Sequence, residues 1–402
     1  MANTLLNPTI ITREALRILH QKCNFVSSIA QYDDRFAQSG AKIGSTLTIR
    51  KPNEFTTTSG PTLSTQDIVE PSTVLTVSTQ RHVDFTFQTS DLTLTIDDFS
   101  ERYIEPAMSV LASVVESDAM SMFLDIPLAV DNTAAAATYA KILAGKVLLD
   151  RTLTPFDGKR RALLNPQDMA DVVNSASALF NSTSEISKQY TDGMMGQAAG
   201  FKFYQNTTIP TQTTGTATTL SGYLINDAAT LSGANITVDT GSTTWAKGDV
   251  FTIAGVFAVH PETKTNYGVL KQFAITSTTI GSMTTLNITP SIVAEATGYK
   301  NVFSGTSSNG VVNNATLTKI GIASSVYRPS VLYHPDAFAF ATADLEDVSK
   351  YGAWGARKVQ DGISLRIARQ YDITNDRVPC RIDILYGFKT IREQLAVRVL
   401  SN

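Results

Sequence analysis

Between Tyr32 and Leu124 the chain passes from short runs of alternating apolar and polar residues to one long run with helical spacing. Alternating runs such as the one around Val83 and Phe85 are typical of strands that bury one face. The helical run, counted from Pro106, would be about 28 Å long at ~1.5 Å per residue. Extended strands of this kind cannot bury themselves alone, so the segment indicates contact with other chains rather than a catalytic site.

Four runs with a period of two predict the strands of this segment, at 46–50, 75–77, 83–87 and 92–96. A loop rich in Thr, Ser, Gly and Pro is expected at 53–66. Pro106 predicts that the regular helix either starts there, where proline is tolerated, or bends there.

Two neighbouring carboxylates, Asp97 and Asp98, come just before this helix. Such a pair could serve as catalytic acids or as metal ligands. At the N-terminus of a helix, however, carboxylates accept hydrogen bonds from unpaired amides and interact favourably with the helix dipole. We therefore predict that the two residues cap the helix.

The composition changes sharply after Lys202. Between Lys202 and Lys247 the only charged residues are Asp227 and Asp239, and thirteen of residues 207–244 are threonine. Short alternating runs follow, separated by Gly and Ser, and they predict a small β barrel or sandwich over 212–318. The chain on either side mixes helical and strand patterns, so we expect an α+β body that carries an inserted β domain.

Within that body, helices are expected at 134–149 and from Asn165 towards Phe180, and strands at 161–164, 201–204, 331–333, 363–368, 381–386 and 396–400. Residues 336–343 are expected to form a short helix or loop, and 351–357 a glycine-rich segment.

The 402-residue chain carries few charges. Charged residues make up 17%, below the usual ~25%, and the formal net charge is −3. Proteins that read nucleic acid usually carry a basic patch, so tight binding of nucleic acid over most of the surface is not expected. No run approaches ~20 apolar residues, so no transmembrane helix is expected. Cys23 and Cys380 are expected to be reduced and buried.

No motif for catalysis or cofactor binding is present: there is no phosphate-binding glycine loop, no His-Glu-x-x-His and no Gly-x-Ser-x-Gly. The four histidines are isolated in sequence, so a metal site would have to assemble from distant segments. The cluster Lys159, Arg160 and Arg161 lacks interleaved aromatic residues and is therefore predicted to be a solvated loop rather than a nucleic-acid contact. We expect no enzymatic activity, no cofactor and no metal.

A set of charges of both signs surrounds the strand-rich region. These residues are either solvated surface charges or partners in salt bridges between subunits, because an extended hairpin needs another chain to cover it. The candidates are Asp33, Asp34, Arg35, Lys42, Arg50, Lys51, Glu54, Arg81 and Asp84.

Several of these runs resemble the major capsid proteins of tailed bacteriophages, in the podophage coat-protein branch that carries an inserted β domain. The similarity is clearest over 1–125. It lies in the runs Tyr32-Asp33-Asp34-Arg35-Phe36, Ser39-Gly40-Ala41-Lys42-Ile43-Gly44, Ile49-Arg50-Lys51-Pro52, Asp91-Leu92-Thr93-Leu94, Phe99-Ser100-Glu101-Arg102-Tyr103-Ile104 and Pro106-Ala107-Met108.

The resemblance implies the Johnson fold (Hong Kong 97-like), with an N-terminal arm, an extended β-hairpin loop, a long spine helix, an axial domain and an inserted telokin-like β barrel. Its parts would be an N-terminal arm at 1–30, an extended loop and peripheral strands at 31–98, the spine helix at 99–125, the first part of the body at 126–211, the inserted domain at 212–318 and the second part of the body at 319–402.

The resemblance also implies partners. Copies of the chain would form pentamers and hexamers with a scaffolding protein in the host cytoplasm, and the shell would contain a portal protein and packaged double-stranded DNA held by loose contacts. A decoration protein outside the shell is a further candidate partner. A covalent cross-link between Lys and Asn, found elsewhere in this fold, has no basis in this sequence.

Two other readings stay open. A decoration, tail or glycan-binding β protein would present exposed aromatic residues in the insertion, for which Tyr223 and Trp245 are the candidates. A hydrolase within the α+β body would need histidines and carboxylates that converge from distant segments.

Overall fold

The computed structural model describes residues 12, 15, 23–31, 46–55, 57–63, 65, 70–88, 103–133, 135–176, 195–217, 223–226, 232–239, 243–278, 284–293, 300–304, 313–346, 348–352, 354–360, 363–374 and 377–401. The chain divides into two compact units. The first consists of Met1–Ile49, Ser72–Met120 and Phe338–Ile391, and the second of Arg50–Pro71, Ser121–Ala337 and Arg392–Asn402.

The α-helices are α1 (Glu105–Met120), α2 (Tyr139–Arg151) and α3 (Pro166–Ala176). Short 3-10 helices lie at Val26–Ser28, Ser121–Asp125, Pro335–Ala337, Val348–Tyr351 and Glu393–Leu395. The strands are β1 (Ala30–Gln31), β2 (Thr46–Arg50), β3 (Ser72–Thr76), β4 (Thr79–Gln88), β5 (Ala129–Asp131), β6 (Arg161–Leu164), β7 (Gln197–Ala198), β8 (Phe201–Gln205), β9 (Gln212–Thr213), β10 (Gly233–Thr237), β11 (Val250–Val259), β12 (Asn266–Ile275), β13 (Thr285–Ile292), β14 (Val302–Ser304), β15 (Leu317–Ile320), β16 (Val326–Tyr327), β17 (Ser330–Tyr333), β18 (Phe338–Ala343), β19 (Trp354–Gln360), β20 (Ile363–Arg369), β21 (Arg377–Thr390) and β22 (Ala396–Leu400).

In the first unit, the 14-residue strand β21 is the centre of a six-stranded sheet. It pairs antiparallel with β18 and β20, and with β4 from Arg377 opposite Gln88 to Tyr386 opposite Thr79. β1 joins β18 in parallel, and β19 joins β20. The strand predicted at 83–87 is therefore confirmed. It forms part of the ten-residue strand β4.

Helix α1 lies against β4 and buries Met108, Leu111, Val115 and Ala119 at a spacing of three and four residues. Pro106 occupies its first turn, where the missing amide hydrogen costs no hydrogen bond. The prediction of a helical stretch that ends near Leu124 is confirmed: the α-helix ends at Met120 and the chain continues as a tighter 3-10 helix at Ser121–Asp125. Asp97 and Asp98, the predicted cap, lie outside the described residues.

The stretch Glu105–Asp125 is long and apolar enough, by length and composition, to cross a membrane. More than half of the most apolar part of this stretch is buried inside the structure. A core helix meets the same test, and the burial of Met108 and Met120 is what such a helix requires.

In the second unit, the strands between 233 and 320 form a six-stranded sheet in the order β10-β13-β12-β11-β14, with β15 also paired to β11. Large side chains from this segment form one buried cluster that includes Tyr223, Trp245, Phe251 and Phe273. The segment predicted as an inserted β domain therefore has a core of its own. It nevertheless forms part of the second compact unit. The boundaries 212–318 stay a prediction.

A second six-stranded sheet in this unit has the order β5-β22-β17-β6-β8-β7. Helix α2 packs on it so closely that a Cβ added at Gly145 would overlap the side chain of Leu332. Helix α3 begins where expected, because Asn165 Oδ1 accepts a hydrogen bond from the amide of Asp168 at 2.7 Å and so caps the first turn.

One prediction in the last third of the chain was wrong. The expected short helix or loop at 336–343 is a 3-10 turn followed by strand β18, whose residues are almost all buried. Because both of its faces are covered, its sequence lacks the alternation that marks a half-exposed strand. The glycine-rich segment at 351–357 contains the start of β19. Cys23 and Cys380 are free and buried, as predicted.

Candidate intersubunit surface

Nine charged residues were predicted as candidate contacts between subunits. Four of them, Asp33, Asp34, Arg35 and Lys42, lie outside the described residues. The structure describes the other five, and it assigns within-chain partners to most of them.

Arg50 and Lys51 lie at the end of β2. Arg50 Nη1 is 3.1 Å from Glu70 Oε2, and both side chains are largely exposed. The Lys51 amide donates a hydrogen bond to the Pro71 carbonyl oxygen at 2.7 Å. These contacts join the two ends of the 50–71 loop, and an exposed pair of this kind contributes about 0–1 kcal/mol.

Glu54, in the same loop, forms an ion pair with a residue far away in sequence. Its Oε2 atom is 2.5 Å from Lys264 Nζ, and the Lys264 side chain is only 10% exposed. The lysine stem is therefore covered while its charge is balanced by the loop.

In the first unit, Arg81 on β4 contacts Asp118 on α1, at 2.9 Å from Nε and 2.8 Å from Nη2. The Tyr386 hydroxyl donates to the same Asp118 Oδ2 atom at 2.6 Å. Burial raises the pKa of Tyr386, and the hydrogen bond to Asp118 raises it further. The carboxylate thus ties the helix to two strands of the sheet.

Asp84, the next candidate on β4, lies 2.8 Å from His82 Nδ1, and both side chains are about half exposed. The role of all nine residues in contacts with another copy stays a prediction. Within the chain, Arg50, Glu54, Arg81 and Asp84 each have an oppositely charged or titratable neighbour.

Sequence reasoning missed the apolar side chains that the surface presents. Leu63 and Phe55 in the 50–71 loop are 88% and 61% exposed. Around α2, the exposed set comprises Leu143, Val147, Leu153 and Phe156. The i, i+4 spacing of Leu143 and Val147 could have indicated a second apolar stripe on this helix.

Two residue predictions need correction. Arg160 is not a solvated charge: it is 1% exposed, lies 2.6 Å from Asp150 and donates to the carbonyl oxygens of Thr154 and Pro155. The run of three basic residues gave no sign of this, because the partners are Asp150 in the last turn of α2 and two carbonyl groups of the loop that follows it.

The aromatic residues proposed as an exposed binding surface are also buried. Tyr223 is 3% and Trp245 0% exposed, and their rings meet edge to face in the buried cluster of the β insertion. A Thr-rich segment has few large apolar residues, so the aromatic ones that it has are needed for its core. The exposed aromatic residues that the glycan-binding hypothesis predicted are therefore not found at these two positions.

The part of the chain that the structure describes contains no group of three or more His, Cys, Asp and Glu placed to hold a metal ion. Several of its buried charges are instead bound to backbone groups or to one another. Asp383, fully buried in the first unit, accepts hydrogen bonds from Arg366, Arg381 and Gln80. Such an arrangement fixes strands rather than performing chemistry.

Comparison with solved structures returns matches that cover most of the chain, several of them described as phage capsids. Mycobacterium phage Che8 matches with 10% identity and a TM-score of 0.46, covering 92% of this chain and 89% of that one. The capsid of Ralstonia phage GP4 matches with 6% identity and a TM-score of 0.45, covering 93% and 87%. The capsid of the cyanophage P-SCSP1u matches with 10% identity and a TM-score of 0.43, covering 89% and 84%.

No curated protein matches the sequence. The family model described as P22 coat protein, gene protein 5, matches residues 3–398. That match spans nearly the whole chain, including the predicted arm, the spine helix and the β insertion. The chain therefore belongs to the P22 coat protein family, whose members are major capsid proteins of tailed phages.

Proposed function

We propose that this coat protein assembles as pentamers and hexamers into an icosahedral shell that encloses a double-stranded DNA genome. The observation that carries the proposal is the family match over residues 3–398. A capsid is built from many coat subunits, and closed shells require the same surfaces to meet repeatedly by symmetry.

The exposed apolar side chains support the same proposal. Leu63 and Phe55 expose apolar side chains in the loop that connects β2 to β3. Side chains of this size lose contact with water when another subunit covers them, which favours association by about 25 cal/mol per Å² of apolar area. Permanent interfaces commonly exceed about 2,000 Å², so the loop would be one contact among several.

The charge of the chain suits the wall of a DNA container. A formal net charge of −3 over 402 residues gives no general attraction for phosphate. Packaged DNA would therefore meet the wall by loose contacts and would not be held on it. A scaffolding protein during assembly, a portal protein at one vertex and a decoration protein outside are further partners in this proposal, with assembly in the host bacterial cytoplasm.

The test is co-expression of the full chain with its scaffolding protein, followed by electron microscopy of the purified particles. We expect closed shells of uniform diameter with five-fold and six-fold clusters. Open sheets, or subunits that stay dispersed while they remain folded by circular dichroism, would contradict the proposal. Particle diameter and symmetry would at the same time give the number of subunits.

A further inference from the structure

The second unit contains a cavity of about 290 Å³, and its lining includes one of the candidate contact residues, Glu54. Apolar side chains from several elements line it, among them Leu128, Leu148, Val259 and Leu270. The phenol of Tyr267 also lines it, and its hydroxyl donates to the Arg151 carbonyl oxygen at 2.9 Å. The cavity therefore has an apolar body with polar groups at its edge, which is the usual form of a small-molecule site.

Five charged residues line the same cavity. Glu54 and Lys264 pair with one another and cancel. The remaining three are Arg151, Lys271 and Glu393, so the lining carries one net positive charge. Among the residues that the structure describes, the side chains of these three make no hydrogen bond or ion pair.

Arg151 and Lys271 are the two lining cations that form no ion pair among the described residues, and of these Lys271 is the one that burial affects. Burial lowers the pKa of its ammonium group, Glu393 and Glu54 act in the opposite direction, and the neighbouring Lys264 lowers the pKa again. An ammonium group held in an apolar cavity without a hydrogen-bonded partner is unfavourable, and an anion placed against it removes that cost.

We propose that this cavity binds a small amphipathic organic acid, with the carboxylate against Lys271 and the apolar chain against Leu128, Leu148 and Val259. One carboxylate balances the single net charge of the lining. The volume is close to the lower limit of about 300 Å³ for ligand pockets, so a short-chain acid fits better than a peptide segment. The inference concerns the subunit itself and does not depend on shell assembly.

The probes are octanoate, octanol and octylamine, which share one chain length and differ in the charge of the head group. Each is titrated into the purified full-length coat protein by calorimetry, below the concentration at which it forms micelles. We expect octanoate to bind at least tenfold more tightly than octanol, and octylamine to bind most weakly. Equal affinities for the three would mean adsorption to apolar surface and would overturn the proposal.

Variants of Lys271 then test whether the carboxylate of octanoate binds at this residue. Lys271→Met keeps the apolar stem but removes the charge. It should therefore lower the affinity for octanoate at least tenfold and leave the affinity for octanol unchanged, whereas Lys271→Arg should keep the affinity for octanoate. Lys202→Met, an exposed lysine outside the cavity, is the matched control and should bind all three probes as the wild type does.

If Lys271→Met binds octanoate with wild-type affinity, the site is not this cavity. If a short peptide with an apolar C-terminal residue and a free carboxylate binds more tightly than octanoate, the occupant is a protein segment and the assignment to a small acid is wrong. The ligand series on the wild-type protein tests the proposal even where a variant does not fold.

Discussion

The carboxylate of Glu116, in the middle of α1, accepts a hydrogen bond from the backbone amide of Phe25 at 2.5 Å. The Val26 amide donates to its other oxygen at 3.0 Å. Glu116 is 2% exposed. One buried side chain thus binds the two amides at the start of the 3-10 helix Val26–Ser28 and fixes the chain before β1 to the long helix.

Glu116→Gln should therefore destabilise the first unit. A glutamine has one acceptor oxygen, so one of the two amides loses its partner and faces an NH₂ group, at a cost of about 1–3 kcal/mol. The measurement is the free energy of unfolding in urea, combined with limited proteolysis around residues 23–31. Glu105→Gln, an exposed carboxylate on the same helix, is the control and should change stability by less than about 0.5 kcal/mol.

In the second unit, Arg398 is fully buried and donates to Gln212 Oε1 at 2.9 Å and to the carbonyl oxygens of Ile126 and Gly248, each at 2.8 Å. Arg398→Met should cost about 3–5 kcal/mol, because it leaves three buried acceptors without their donor.

Arg377→Met provides the comparison for this arginine. Its ion pair with Asp372 is at the surface, with the arginine side chain about half exposed, so its loss should cost about 0–1 kcal/mol. Equal losses in the two variants, measured by thermal unfolding, would mean that the buried hydrogen bonds contribute no more than a surface pair.

The thiol of Cys380 provides a pH-dependent prediction. Burial raises its pKa from 9.0 to about 12. The unfolded chain therefore loses this proton at lower pH than the folded chain, so the contribution is fully present below about pH 9 and is lost as the pH rises towards 12.

Cys380→Val removes the titrating group while keeping an apolar side chain. The stability of the wild type relative to this variant should therefore fall by up to about 1.4 kcal/mol per pH unit between pH 9 and 11. Urea unfolding of both proteins at pH 7, 9, 10 and 11 measures it. A constant difference across this range would show that Cys380 titrates alike in the folded and unfolded chains.

Leu63 offers a direct test of the 50–71 loop in assembly. At 88% exposure it contributes little to the fold of a single subunit, so Leu63→Asp should leave thermal unfolding within about 0.5 kcal/mol of wild type. If another copy covers the loop, the same change should sharply reduce the yield of shells, because a carboxylate would be buried without a partner. Leu63→Met keeps the apolar character and should assemble normally; failure of both variants, or of neither, would contradict the role.

The β insertion can be tested as a fragment, and its length matters. Lys319 Nζ lies 3.0 Å from Asp249 Oδ2, and both side chains are almost completely buried. A fragment of residues 212–318 lacks Lys319 and leaves the buried carboxylate of Asp249 without its ion-pair partner. The fragment 212–327 keeps this ion pair and also the pairing of β9 with β16.

We therefore expect 212–327 to unfold cooperatively and 212–318 to be less stable by about 3–5 kcal/mol. The emission of Trp245, fully buried in the apolar cluster of the insertion, reports the unfolding of both fragments. Equal stability of the two would show that the shorter range is a sufficient domain.

Local patterns predicted much of this architecture. The period of two gave β2 and β4, and the Asn165-Pro166 pair marked the start of α3, because each of these depends on contacts within a few residues. The strand at 338–343 was missed because both of its faces are buried, which removes the alternation that distinguishes a strand from a loop.

Contacts between distant residues had no signal in one sequence. Glu54 and Lys264 are 210 positions apart, and neither stands in a motif. Arg160 looked like part of a charged loop, and its ion pair with Asp150, ten positions earlier, also had no signal. The cavity was also beyond prediction, since its lining combines residues from 54 to 394.

The pairing of β4 with β21 has a mechanical consequence. The two strands run antiparallel over ten residue pairs, so a force applied along the length of β4 loads all the hydrogen bonds of that ladder together. A force that peels β4 away from one end would instead break them one pair at a time. A shell under outward pressure stretches its wall within the surface, and a sheet whose strands lie along that direction would yield late, whereas one loaded at a strand end would open at low force.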